Sequence, residues 1–170
     1  QHFAEARALA ETDYARARKM NAALAFSTAP ILAARPFQLA GAADDRARAL
    51  TCLTQAVYYE AGFEPDAGQR AVAQVVLNRM RHPLFPHSVC GVVFQGATTL
   101  GGGCQFSFTC DGALGRWHPT PAAWDRARGV AIAALNGSVD APIGYATHYH
   151  TNWVVPYWSS SLDKIARSRP

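Results

Sequence analysis

The chain has 170 residues, of which 49% are hydrophobic and 16% are charged, so it is long enough to bury a core of its own. The low charge content, without a run of like charges, argues against a disordered tail and against a polybasic nucleic-acid arm. The net charge of +4 suits a polyanionic partner, and a cell-wall polymer, a nucleic acid and an anionic membrane all meet that condition.

The first 40 residues are predicted to form an arm. Hydrophobic spacing predicts a helix over residues 1–24, with one face formed by Phe3, Ala6, Ala10, Tyr14 and Ala17. Residues 27–41 contain two prolines and a glycine, which predict a linker or a packed loop. We therefore divide the chain into an N-terminal helical arm and linker, residues 1–40, and a main domain, residues 41–170.

Two strong helices are predicted next, over residues 45–61 and 66–81. Asp44 or Asp45 is expected to cap the first helix, and Gly62 suits its end. Asp66 and Gln69 have the spacing of a capping box at the start of the second.

The remaining elements are shorter. A helical turn over 88–94, a glycine-rich stretch over 96–103 and a strand of a small hairpin over 105–109 precede a helix that starts at 120–121 and stops near 137. The inner face of that helix is predicted to contain Trp124, Ala127, Ala131 and Leu135. Residues 145–158 are aromatic and predicted to be extended. The layout is α+β and mostly helical with a small β element, as in lysozyme-like domains.

Four cysteines permit three pairings. The short spacing of Cys104 and Cys110 favours a local disulfide, which leaves Cys52 and Cys90 for a longer bridge and implies an oxidising compartment. Four reduced, buried thiols in a cytosolic protein are the alternative.

Glu60 is the main candidate for chemistry. It falls on the same helical stripe as Leu50, Leu53 and Val57. A carboxylate there is either desolvated, which raises its pKa and suits a general acid, or it reaches solvent or pairs with an arginine such as Arg79.

Two neighbouring residues have a structural and a functional interpretation. Glu64 is expected to support or cap the second helix rather than act as a second catalytic carboxylate. Gln69 is expected to point inward, where it orients Glu60, binds an acetamido sugar or only closes the capping box.

A metal site is disfavoured. His148 and His150 would share a face of a strand, with His82, His87 or His118 as a third ligand, but no acidic ligand pattern completes such a site. Roles in lining a groove or a core are favoured for them. Aromatic residues that offer flat faces to sugars, or belong to the core, are Trp117, Tyr149, Trp153, Tyr157 and Trp158.

Taken together, these motifs resemble the SleB/CwlJ-type cell-wall hydrolases, the family of spore-cortex lytic enzymes. The resemblance covers about residues 46–165 and rests on an ordered series of segments: 52–61, 64–65, 68–69, 71–73, 76–79, 85–86, 89–94, 104–112, 146–150 and 156–158. The segments with cysteines are similar to the Gram-negative branch of the family.

The resemblance implies a lysozyme-like fold and a lytic transglycosylase acting on peptidoglycan glycan strands. The family's catalytic glutamate, in its Y-x-E-A motif, corresponds to Glu60. It would protonate the oxygen between N-acetylmuramic acid and N-acetylglucosamine, and then take the proton of the muramic C6 hydroxyl as a 1,6-anhydro ring closes. Candidate substrate-binding residues are Gln69, Gln105, Phe106, Ser107, Tyr149 and His150.

Two segments depart from the family pattern. Gly62 and Phe63 stand where the spore enzymes have arginine and glycine. The segment from His148 to Thr151 corresponds to their Tyr-Tyr-Phe-Asn, with Tyr149 retained but not the asparagine, unless Asn152 replaces it after a shift of one residue. The expected alternatives to a transglycosylase are a hydrolytic muramidase, a catalytically inactive peptidoglycan-binding module and a zinc amidase.

No cofactor or metal is expected, and the expected partners exclude nucleic acid. No apolar run reaches the roughly 20 residues that span a bilayer. No export signal is visible and residue 1 is not Met, so the chain is expected to be processed or trimmed. The expected disulfides and the resemblance to cell-wall hydrolases indicate the periplasm or the outside of the cell. Residues 1–40 are expected to be available to a protein partner.

Overall fold

The computed structural model describes residues 2–98 and 103–167, with side chains from residue 13 onward. Contacts group the chain into two compact units: residues up to Pro30 with His148–Arg167, and Ile31–Thr147. The first unit thus combines both ends of the described chain, whereas the sequence predicts a division at residue 40. That domain boundary stays a prediction.

Helices α2 to α6 belong to the unit Ile31–Thr147. Their bounds are α2, Ala43–Ala61; α3, Asp66–Arg81; α4, Val89–Val93; α5, Ala113–Arg116; and α6, Pro121–Leu135. Short 3-10 helices form at Ser107–Thr109 and Ala141–Ile143. Three of these elements start or stop where the sequence predicts: α3 ends before His82-Pro83, the Ser88 hydroxyl caps α4, and the Thr120 hydroxyl caps α6.

The core of this unit lies among α2, α3 and α6, with α4 against α2 and α3. Leu53, Ala56 and Val57 of α2 are fully buried there. Each large apolar side chain removed from water contributes roughly 1.5–3 kcal/mol. On α6, Ala127, Ala131 and Leu135 are buried as predicted, and Trp124 is half-buried.

Helix α3 is buried on more sides than predicted. The expected inner face of Gln69, Val72, Ala73, Val76 and Met80 is present, although Met80 is only half-buried. However, every residue from Val72 to Arg79 is buried. The helix contacts α2, α4 and α6 at once, and no face of its stretch from Val72 to Arg79 is left to water, whereas Asp66, Ala67 and Arg70 near its start are exposed. A single-face wheel describes a surface helix and not a central one.

Buried amides of α3 hold the segment that follows α6. Asn78 Nδ2 donates to the carbonyls of Gly144 and Ala146, both at 2.9 Å. Gln74 Nε2 donates to Asn78 Oδ1 at 3.0 Å, and Gln74 Oε1 accepts from the Asp140 main-chain N–H. Side-chain amides therefore supply the hydrogen bonds that a neighbouring strand would give to this backbone.

Two predicted helix caps are wrong. Ala42 and Pro65 occupy the N-cap positions of α2 and α3, and neither helix has a side-chain cap. Asp44, Asp45 and Asp66 lie within the first turns instead. Acidic side chains there still interact favourably with the positive end of the helix dipole. Gly62 is the C-cap of α2, as predicted, and is right-handed.

The predicted strand over 105–109 is also wrong. The alternation is real, because Phe106 and Phe108 are buried while Gln105 and Ser107 are exposed. The backbone nevertheless closes 3-10 bonds: the Thr109 N–H donates to the Phe106 carbonyl and the Cys110 N–H to the Ser107 carbonyl.

The mostly helical, lysozyme-like class is confirmed. Among the described residues, strand pairing is limited to two isolated bridges, Phe26 with Lys164 and Gln38 with Asn136. The second bridge, with the Leu39 N–H donating to the Leu135 carbonyl, makes residues 27–41 a packed loop in part. Residues 99–102 of the predicted glycine-rich stretch lie outside the described residues.

Both favoured disulfides form, Cys52–Cys90 and Cys104–Cys110. The first joins α2 to α4 across 38 positions, and the second closes a short loop. The four-thiol alternative is therefore wrong for this structure.

The other unit contains helix α1, His2–Ala23, and the C-terminal segment His148–Arg167, which has no helix or strand of its own. Helix α1 matches its predicted extent. On its predicted face, Ala17 is buried but Tyr14 is exposed, while the side chains of Phe3, Ala6 and Ala10 lie outside the described residues. Within the described part of the chain, no helix is both long and apolar enough to cross a bilayer.

Candidate active site

Glu60 lies in the last turn of α2, directly after the buried stripe of Leu53 and Val57. The residue is half-buried, as expected for a carboxylate at the edge of an apolar face. The helix ends tightly behind it: the Gly62 N–H donates to the Tyr58 carbonyl at 2.8 Å. A Cβ at residue 62 would lie 2.5 Å from that carbonyl oxygen, so this turn closes around a glycine.

Gln69 is fully buried in the first turn of α3. Its Nε2 faces the Glu64 carbonyl at 3.5 Å, a long contact, and its Oε1 has no hydrogen-bond partner among the described residues. An unsatisfied buried acceptor costs about 1–3 kcal/mol. Gln69 thus has an unused hydrogen-bond acceptor, Oε1, that is buried and not exposed at the surface.

Glu64 is exposed between the two helices. Its main-chain carbonyl, rather than its carboxylate, faces Gln69, and α3 has no side-chain cap. A Cβ added at Gly68 would lie 2.9 Å from the Glu64 Cβ, so the Glu64 side chain packs over that glycine. Of the two expected roles, capping of α3 is therefore wrong, whereas the side chain does pack against that helix.

Arg79 of α3 is a buried cation between two aromatic rings. Its side chain lies 5.3 Å from the Phe85 centroid and 5.4 Å from the Phe106 centroid, and the residue is 6% exposed. Nε donates to the Thr147 carbonyl at 2.6 Å, and Nη1 contacts Gln105 Oε1 at 3.4 Å. Desolvated cation–π contacts contribute about 2 kcal/mol, so this arrangement fixes the guanidinium.

The loop closed by Cys104–Cys110 contains three of the predicted substrate-binding residues. Gln105 and Ser107 are exposed, whereas Phe106 is 2% exposed and packs beneath Arg79. Gln105 thus lies beside Arg79, which contacts its Oε1, while the side chain remains exposed to solvent. The structure places Phe106 in the core, where it supports this loop from below.

Tyr59 links the turn of Glu60 to the disulfide loop. Its ring stacks on Phe108 at 4.9 Å, and its hydroxyl donates to the Trp117 carbonyl at 2.8 Å. Burial, with a smaller contribution from the neighbouring Tyr58, raises the pKa of the Tyr59 phenol, so it keeps the proton that it donates. Tyr59 also lines a groove of about 380 Å³, whose other lining residues are Gln55, Leu114, Pro119, Pro121 and Trp124.

Tyr149 and His150 belong to the other unit, in the C-terminal segment. Trp158 packs its ring against both His148, at 4.8 Å, and His150, at 5.4 Å. The two histidines thus share a neighbour, although the strand predicted to hold them does not form. His150 Nδ1 lies 2.8 Å from the Thr151 carbonyl. Because a carbonyl only accepts, Nδ1 is the donor in this contact.

The aromatic residues proposed for sugar contact differ in exposure. Trp117 is 64% exposed and Tyr157 is 95% exposed, while Trp158 is half-buried. Exposed rings of this kind are available for stacking, whereas Trp158 serves the histidine contacts. Among the residues that the structure describes, no group of three His, Cys, Asp or Glu side chains is placed to hold a metal ion.

Sequence reasoning missed the polar frame around this site. Gln74 and Asn78, buried one turn apart on α3, hydrogen-bond the backbone of the segment that follows α6. Arg79 hydrogen-bonds both Gln105 and the Thr147 carbonyl. The available signal was polar residues inside a helix rich in valine, a pattern that signals buried amides needing partners.

Comparison with known proteins bears on the family. Residues 63–169 match the Cell Wall Hydrolase family. The spore cortex-lytic enzyme of Halalkalibacterium halodurans is 41% identical over 68% of this chain and 31% of its own length. The spore cortex-lytic enzyme of Oceanobacillus iheyensis is 39% identical over 57% of this chain and 30% of its own length. That of Bacillus subtilis is 60% identical over 25% of this chain and 14% of its own length. No solved structure matches the chain.

The chain therefore spans less than a third of the length of these relatives. The family match begins three residues after Glu60, so the role of Glu60 does not rest on that match. The match covers more than half of the chain, and the similar enzymes share one name. This chain belongs to the cell wall hydrolase family of the SleB/CwlJ type.

Proposed function

We propose that this chain cleaves peptidoglycan glycan strands between N-acetylmuramic acid and N-acetylglucosamine, as a lytic transglycosylase with Glu60 as acid and base. Membership of the cell wall hydrolase family and the similarity to enzymes named for spore-cortex lysis support the substrate class. The observation that carries the assignment is the place of Glu60, half-buried in the last turn of α2 after a fully buried apolar stripe.

The placement of Glu60 suits a general acid. Loss of water around a carboxylate disfavours its charged form, and we expect the pKa of Glu60 to lie above that of a free glutamate for this reason. An acid with a raised pKa still holds its proton near neutral pH and can deliver it to a glycosidic oxygen.

The reaction needs one carboxyl group. Glu60 gives its proton to the bridging oxygen as the bond from that oxygen to muramic C1 breaks. The carboxylate then takes the proton of the muramic C6 hydroxyl, whose oxygen forms the new bond to C1 and closes the anhydro ring. Water does not react, so the second carboxylate of the usual glycosidase pair is not required.

The exposed side chains of Gln105 and Ser107, with Tyr149 and His150, are proposed to contact the sugars. Gln69 and Phe106 are buried, so we propose that they act from beneath: Phe106 under Arg79, and Gln69 through its unused acceptor. Gln69 meets a sugar only if its side chain becomes exposed.

We place the enzyme outside the cytoplasm, in the periplasm or secreted. Both disulfides support this, since such bonds persist in oxidising compartments. The proposed substrate is found there as well.

The test is mass spectrometry of the muropeptides that wild type and Glu60→Gln release from purified sacculi. We expect anhydro-muramic products from wild type and at least a 100-fold loss in the variant, the usual scale for general acid–base catalysis. Glu64→Gln is the matched control, because it removes an exposed carboxylate four positions away and should keep its activity.

Other results would redirect the assignment. Reducing-end products would make the chain a hydrolytic muramidase, because water would then be the nucleophile. Full activity of Glu60→Gln would remove Glu60 from the mechanism. Binding to sacculi without release by wild type would favour a peptidoglycan-binding module, and activity lost with a chelator would favour a zinc amidase.

A further inference from the structure

Asn21 is a buried polar residue on α1. It is 7% exposed, and its Nδ2 donates to the main-chain carbonyls of Asn152 and Val154, both at 2.8 Å. These acceptors lie 131 and 133 positions further along the chain. One amide nitrogen thus uses both of its hydrogens on a single stretch of the C-terminal segment.

Lys164 fastens the same two parts of the chain at a second point. Its Nζ donates to the carbonyls of Asn21, at 2.8 Å, and Leu24, at 3.2 Å, at the end of α1. The ammonium also lies 4.4 Å from the centroid of the Phe26 ring. A cation at this place satisfies carbonyls that lack a helical partner and interacts favourably with the helix dipole.

These contacts are specific and few. On the part of α1 whose side chains are described, Ala17 and Asn21 alone are buried. The stretch that contains Asn152 and Val154 has neither helix nor strand, and its main-chain hydrogen bonds are turn bonds such as that from the Val154 N–H to the Thr151 carbonyl. The carbonyls of Asn152 and Val154 accept from the Asn21 side chain instead. Asn21 supplies two of these bonds immediately after the residues Tyr149 and His150.

We infer that α1 is an internal brace for the C-terminal segment, and that Asn21 is a positioning residue for Tyr149 and His150. The part of this inference that concerns substrate rests on the proposed function, in which those two side chains contact sugar. The inference gives the N-terminal arm a role within the chain, and the expected docking of a protein partner stays a prediction.

The brace is tested first without substrate, by amide hydrogen exchange of the full chain. Asn21→Asp keeps the size of the side chain but removes both donors and sets a negative charge against two carbonyls. We expect roughly tenfold faster exchange in residues 148–158, because local opening there becomes easier. Ala22→Asp is the matched control, since it adds the same charge at an exposed neighbouring position.

Lys164→Met is the second variant, in case Asn21→Asp does not fold. It keeps the length of the side chain and removes the cation that holds the end of α1. The same rise in exchange in residues 148–158 is expected. Unchanged exchange in every folded variant of Asn21 and Lys164 would overturn the brace.

The positioning role is tested by kinetics on sacculi. Because Asn21 acts through binding residues and not through the acid, we expect Asn21→Asp to raise KM roughly tenfold with kcat nearly unchanged. A general loss of folding would lower the active fraction and therefore kcat. Faster exchange without any change in KM would overturn the positioning role.

The proposed function fails separately, through inactive wild type or a fully active Glu60→Gln. In that event the exchange experiment still decides whether α1 braces the segment.

Discussion

Asp140 precedes the 3-10 helix Ala141–Ile143, and burial changes the pKa of its carboxyl group. Burial disfavours its charged form and raises its pKa, while Arg70 acts in the opposite direction with a smaller effect. Folding therefore favours the protonated form of Asp140. Its contribution to stability is present at low pH and is lost as the pH rises through the folded-state pKa.

Asp140→Asn is expected to raise the free energy of unfolding at pH 7 relative to wild type, because the amide is neutral at every pH. Near pH 3 the two proteins should differ little, since free Asp titrates near pH 4. Urea unfolding between pH 3 and 7 measures this. Asp125→Asn, at an exposed site on α6, is the control. A wild-type advantage at pH 7 would show that attraction to Arg70 outweighs burial.

At the scale of elements, Gly144 ends the short helix that follows Asp140 in a backbone conformation with φ of +50°. A Cβ there would lie 2.7 Å from the Leu32 carbonyl oxygen and 2.9 Å from Ile31 Cγ2. The Gly144 carbonyl also accepts from Asn78, so the residue cannot shift without disturbing α3. Glycine meets both the conformational and the spatial requirement.

Gly144→Ala should lower the free energy of unfolding by about 1–3 kcal/mol, through strain and the close contact with Leu32. Gly129→Ala is the control: this glycine lies inside α6 with open space around it, and alanine there should stabilise the helix by about 0.5–1 kcal/mol. Denaturant unfolding of wild type and both variants measures these changes in the free energy of unfolding. Equal stability of Gly144→Ala and wild type would contradict this account.

The elements also mark where sequence patterns are sufficient. The hydrophobic period, proline and the Thr120 cap predicted α3 and α6 nearly to the residue. The pattern over 105–109 misled, because alternation gives the inward and outward residues but not the backbone. A strand also needs a partner, and a loop closed by Cys104–Cys110 makes its own bonds instead.

At the scale of the whole molecule, the Cys52–Cys90 disulfide is expected to contribute more to stability and the Cys104–Cys110 disulfide more to activity. Cys52–Cys90 closes 38 positions and Cys104–Cys110 only 6. Chain entropy then predicts a loss of about 4 kcal/mol for Cys52→Ser with Cys90→Ser, and about 2 kcal/mol for the other pair. Thermal unfolding of the two double variants compares them.

The order should reverse for activity. The loop 104–110 contains Gln105 and Ser107, so opening it should reduce the release of muropeptides more than opening the Cys52–Cys90 bridge does. Activity is measured well below the unfolding temperature of both variants. Equal losses of activity would mean that this loop does not present substrate-binding groups.

Across the chain, sequence reasoning reached the helical class, both disulfides and the family, because periodicity, spacing and ordered motifs are local. It did not reach the grouping of α1 with the C-terminal segment, which depends on Asn21 and residues more than 130 positions away. Nor did it reach Arg79 between two rings. The assignment of Glu60 stays a prediction for the variant to decide.

The buried amides of Gln74 and Asn78 have a consequence for recombination between relatives. They hydrogen-bond main-chain groups of residues 140–146 and none of the side chains of that stretch. Apart from Gly144, which must remain glycine, side chains of that stretch can therefore be exchanged for those of a homologue without loss of these hydrogen bonds, provided that the carbonyl spacing is kept. A chimera that imports α3 without both amides would leave main-chain groups of residues 140–146 unpaired, whichever side chains that stretch carries. Crossover points for shuffled libraries are thus better chosen outside α3.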